Sequence, residues 1–131
     1  MLKGSLQAEN YPDWLDRIES LETRSAFVCL VGLAACCRSL ICHAHLKGEN
    51  GPVHAVYFHD EHGEHPFSFI VNKQKPLLFY FRAPATRSPN YTLAELQSAF
   101  SGTKIPRAEE WTVPIATTAD AWRLWEFLNI K

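Results

Sequence analysis

The chain has no apolar run long enough to cross a bilayer. Its longest, AFVCLVGLAACC at residues 26–37, stops at Arg38, whereas a spanning helix takes about 20 apolar residues. The first residues carry acids ahead of any apolar segment, the reverse of a secretory leader. There is no CxxC, and Cys29, Cys36, Cys37 and Cys42 all fall within or just past the apolar run. Thiols there act as small buried hydrophobes, which speaks against a disulfide framework or a metal-finger pair. A reducing, cytoplasmic setting is therefore expected. No G-x-S-x-G, P-loop, dinucleotide glycine fingerprint or H-E-x-x-H occurs. The carboxylates are spread over turns and helix starts, so no catalytic residue, cofactor or small-molecule substrate is nominated.

No repeat or low-complexity tract is present, and 47% hydrophobic against 21% charged residues is the balance of a folding chain, not a disordered one. One globular domain over 1–131 is expected. The net charge of −1 conceals an asymmetry. Residues 49–65 hold four acids and no lysine or arginine, whereas 66–108 hold six bases and one acid.

The pattern predicts a helix over 13–23, capped by Asn10 or Asp13, with Trp14, Ile18 and Leu21 on one stripe. A second helix over 26–45, capped by Ser25, is apolar nearly all round and so is expected to be enclosed. Its line of small or polar residues, Ser25, Gly32, Cys36, Ser39 and His43, would let the first helix or a second subunit approach closely. Residues 47–52 read as a loop. The period then changes to two, and 53–59, 66–71 and 77–82 are rich in β-branched and aromatic residues, which predicts a three-stranded antiparallel meander.

Loop lengths set the faces. A four-residue turn from Asp60 to Gly63 makes 58 oppose 65 and 56 oppose 67. A five-residue turn from Asn72 to Pro76 makes 69 oppose 79 and 67 oppose 81. Phe67, Phe69, Val71, Leu77, Phe79 and Phe81 then share the core face, and Ala55, Tyr57, His59, Ser68, Ile70, Leu78, Tyr80 and Arg82 share the other. Residues 83–89 form a connection. Thr92 with Glu95 caps a helix that stops at Gly102, and 103–110 read as a loop. Residues 111–116 make a strand placed at an edge by Pro114. Thr117 with Asp120 caps the last helix. The order ααβββαβα predicts an α+β sandwich, helices over one face of a mostly antiparallel sheet.

FHDEHGEHPF, residues 58–67, spaces His59, His62 and His65 evenly beside Asp60, Glu61 and Glu64. Zinc needs donors converging on one point. On the expected hairpin His59 and His65 face opposite ways and His62 sits in the turn, so turn scaffolding by Asp60 and Gly63 is the leading reading and no metal ligand is assigned. In CCRSLICHAH (36–45) the thiols read as core, since a cysteine nucleophile paired with His43 or His45 would need an exposed, electropositive site. The expected function is a non-catalytic module that docks on a partner protein, of the inhibitor, immunity-protein or accessory-subunit kind. Its expected contacts are Tyr57, His59, Asp60, Glu61, Glu64, Tyr80 and Arg82. The first alternative is a nucleic-acid-binding accessory domain using Lys73, Lys75, Arg82, Arg87, Lys104 and Arg107. The second is a metal-dependent enzyme built on His59, His62 and His65.

Overall fold

The computed structural model describes residues 10–46 and 54–130. Helices α1 (Asn10–Asp16) and α2 (Leu21–Cys36) lead into four successive strands, β1 (Ile41–Leu46), β2 (His54–His59), β3 (Phe67–Val71) and β4 (Leu77–Phe81). A short turn of helix, α3 (Ala83–Thr86), and helix α4 (Leu93–Ala99) follow. Strands β5 (Lys104–Arg107) and β6 (Glu110–Ile115) and a last helix α5 (Thr118–Leu128) complete the described chain. The strands form one open antiparallel sheet in the order β1-β2-β3-β4-β6-β5. The α+β class expected from the pattern is the one found. The expected loop at 47–52 lies outside the described residues, as does Val53.

The core side of the sheet is built from cross-strand rows. Phe58, Phe67, Phe81 and Trp111 oppose one another in sequence across β2, β3, β4 and β6, and Val56, Phe69, Phe79 and Val113 make the next row. Neighbouring rings meet in mixed geometries, Phe67 and Phe81 edge to face at 5.4 Å and 89° and Phe69 and Phe79 stacked at 6.4 Å and 16°, and edge-to-face is one that the ring quadrupole favours. Helices α2 and α5 close over this face and pack on each other. Phe27 and Leu30 come from α2, and Leu124 and Leu128 from α5. Each large apolar side chain buried this way contributes about 1.5–3 kcal/mol. Thr117 and Asp120 form the expected capping box at the start of α5, and the Thr23 hydroxyl donates to the Ala116 carbonyl at 3.0 Å, tying α2 to the β6–α5 junction.

Several local expectations change. The helix expected at 26–45 begins earlier, with Ser20 as its cap, and ends at Cys36. Ser25 lies inside it. Residues 41–46 are the edge strand β1 instead, paired along all of β2. The break, CRSL at 37–40, holds no glycine or proline, so it carries no local signal of a helix end. Nor is α2 enclosed, since Leu21 and Val28 are exposed. Of the small-residue line, Ser39 and His43 lie beyond the helix, Ser25, Gly32 and Cys36 are exposed, and Ala26, Phe27, Leu30 and Ala34 face the core instead. The first helix occupies 10–16, so Asp13 is in its first turn and is not its cap.

Residues 104–107, expected as loop, pair with β6 and put it inside the sheet. The proline argument still holds locally, because the β5 ladder begins at the Lys104–Thr112 pair and Pro114 lies past it. In the β2–β3 hairpin, Phe58 opposes Phe67 and Val56 opposes Phe69, two residues beyond the expected register. Pro66 explains the shift, since it lacks a donor and restrains His65 before it, and β3 starts at Phe67. A slip of two leaves every strand side chain on its expected face.

Candidate functional site

Opposite the phenylalanine face, the sheet carries a second set of rows. The central one runs across all six strands: His43, Tyr57, Ser68, Tyr80, Thr112 and Lys104 are successive partners. Ser68 and Thr112 are small and buried, so the half-buried Tyr57 and Tyr80 stand as walls beside low points. The result is a groove of about 280 Å³ lined by Ala55, Tyr57, Ser68, Ile70, Tyr80 and Arg82, with Pro106, Arg107 and Glu110 as its far bank. Among the described residues no helix residue lines it. Arg82, Arg107 and Glu110 also line an adjoining cavity of about 380 Å³ that reaches Glu64, His65 and Glu109. The outward face expected from the loop lengths is thus the face found.

The charges in the groove are mixed. The Arg82 guanidinium lies 5.9 Å from the centre of the Tyr57 ring, within cation–π range. Among the described residues neither Arg82 nor Arg107 makes an ion pair. Burial raises the Tyr80 hydroxyl above its ordinary range and the Glu110 carboxylate adds to this, against the lowering pull of Arg107 and Arg82. Tyr80 is therefore a neutral phenol that can both donate and accept.

The hairpin tip behaves as the turn chemistry requires. The Asp60 carboxylate accepts from the backbone N–H of His62 at 2.9 Å and of Glu64 at 3.0 Å, and Gly63 has φ of 76°. Of the three expected tip contacts, Asp60 is thus engaged in holding the turn, while Glu61 and Glu64 are exposed.

Histidines gather at one corner of this face, although not the three that even spacing picks out. Ile41 opposes His59 and His43 opposes Tyr57, so His43 and His59 are diagonal neighbours on the same side. His65, freed from the ladder at Pro66, turns to that side too and does not face the core. Ring centres are 5.2 Å apart for His43 and His59, 5.6 Å for His59 and His65, and 6.2 Å for His43 and His65. Tyr57 stacks against His43 at 5.8 Å and 29°. His62 stays out at the exposed tip, its Nε2 3.4 Å from Glu61.

The six bases of the nucleic-acid alternative divide. Arg82, Lys104 and Arg107 belong to the open face by register. Lys73 and Lys75 lie in the β3–β4 turn at the other end of β4, Lys73 being 3.7 Å from Glu19. Arg87 is held by Glu109, its Nε donating at 3.1 Å, and this hydrogen bonding keeps the Glu109 carboxyl below its usual range. The thiol cluster also separates. Burial pushes the Cys42 thiol up to about 11, so it stays protonated, and adjacent strand residues Cys42 and His43 face opposite sides of the sheet.

Among the described residues no helix is long and apolar enough to cross a membrane. Comparison with protein-family models, curated proteins and solved structures finds no match to this chain.

Proposed function

We propose that this protein is a small, non-catalytic, cytoplasmic module that docks on a partner protein through its open sheet face, as an inhibitor, immunity protein or accessory subunit does. The observation that carries the reading is the groove itself, walled by Tyr57 and Tyr80 with Arg82 at its end and, among the described residues, lined by no helix residue. Tyrosine and arginine are the residue types that dominate binding energy at interfaces, because each combines large contact area with directed hydrogen bonds. The partner surface that fits presents a carboxylate to Arg82 and Arg107 and a basic side chain to Glu61 and Glu64 at the tip, a pairing that also steers the encounter. Capture from the native host followed by titration of the purified partner tests it. Arg82→Glu is expected to weaken binding by at least about tenfold, while the melting temperature moves by less than about 2 °C. Unchanged affinity overturns the reading, and a large melting loss would make Arg82 a structural residue instead.

One observation favours a second reading. Two tyrosines on an open sheet face, with Arg82, Lys104 and Arg107 beside them, form a platform on which unpaired bases stack while cations meet phosphates. Binding to mixed-sequence single-stranded nucleic acid should then weaken steeply with salt as counterions are released. No retention on heparin at low salt removes this reading.

A further inference from the structure

We propose that His43, His59 and His65 form a binding site for one divalent transition-metal ion of the zinc type, with a fourth coordination position held by water on the open sheet face. One ring nitrogen from each histidine lies within 4.8 Å of the other two. Donors bound tetrahedrally at 2.0–2.1 Å are about 3.3 Å from one another, so no separation has to close by more than roughly 1.5 Å. Rotation of an imidazole about its Cβ–Cγ bond, a broad torsion, supplies a movement of that size without shifting backbone.

The donor set selects the ion. Three imidazole nitrogens suit zinc, copper or nickel, whereas magnesium and calcium take oxygen. Three protein ligands with one open position is the arrangement that keeps a metal-bound water, in contrast to the closed four-ligand sites of structural zinc. The surroundings fit a dication. Asp60, Glu61 and Glu64 lie in the same hairpin, and Tyr57 stacks on the His43 ring and meets His65 edge-on at 5.8 Å, restricting both. The ligands come from β1, from β2 and from the segment before β3, so the ion would fasten the edge strand to the hairpin. This proposal stands apart from the docking reading and needs no partner to test it.

Tag-free protein is titrated with zinc in competition with a chromophoric chelator, and cobalt(II) is used as a visible probe. The expected result is one ion per chain with a dissociation constant below about 10 µM and a cobalt spectrum lacking thiolate charge transfer. His65→Ala and His43→Ala should each weaken binding by about 100-fold or more, beyond the loss typical of an outer-shell change. His62→Ala and Cys36→Ser should leave it unaltered. Because His65 is exposed, its variant keeps the test valid if His43→Ala fails to fold. Failure to bind zinc at about 100 µM free metal overturns the proposal, as does binding that survives His65→Ala or disappears with Cys36→Ser.

Discussion

Phe79→Ala is expected to destabilise the protein by about 3–5 kcal/mol, the range for a large aromatic removed from a packed interior. Phe79 has no exposed surface and sits in the middle of its row, with Phe69 opposite on β3 and Val113 opposite on β6. Its ring also lies 6.1 Å from Phe58, 5.8 Å from Phe67 and 5.8 Å from Phe81. Rigid sheet backbone on both sides leaves little room for collapse, so most of the ring's volume would remain as a void. Against a total of about 5–15 kcal/mol for a domain, such a loss is a large share of the margin. Urea unfolding followed by circular dichroism checks it. A loss below about 1 kcal/mol would mean that the helices do not rest on this row.

Ala44→Asp is expected to cost about 3–5 kcal/mol, the penalty for a buried charge without a partner. The residue lies on β1, is fully buried and belongs to the core cluster. Its neighbour across the ladder is Val56, in the centre of the next strand. An aspartate there either enters the core or forces β1 off the sheet. Urea unfolding together with hydrogen exchange of the β2 amides separates the two, since loss of β1 would expose one side of β2. Unchanged stability and exchange would show that 41–46 is not a docked strand.

That second variant bears on the part of the fold that could not be read from sequence. The central sheet was legible because its loops constrain parity. An odd-length link between Phe69 and Phe79 puts both rings on one side, and the slip of two in the first hairpin preserved the faces. Turn and cap chemistry was legible for the same local reason, as at Asp60, Gly63, Thr92 and Thr117. Strand β1 was hidden because only the four residues CRSL separate it from α2, with no glycine or proline to mark the break. Strand β5 was hidden by its content, KIPR, exposed throughout and broken by proline.

The histidine corner failed in an instructive way. Equal spacing drew attention to His62, yet neighbours in sequence need not converge on a hairpin. The third ring, His43, is 16 positions from His59 and reaches it only through strand pairing. Pro66 was the available signal that His65 leaves the ladder. Its effect on register, once recognised, moves His65 to the open face.

The bond from Thr23 to Ala116 spans 93 residues, and the helices it joins come from opposite ends of the described chain. During synthesis strands β2 to β4 therefore emerge before β6 and α5, which complete the aromatic rows and their second helical cover. Folding of this sheet thus depends on contacts of high sequence separation, which slow the search for the native arrangement.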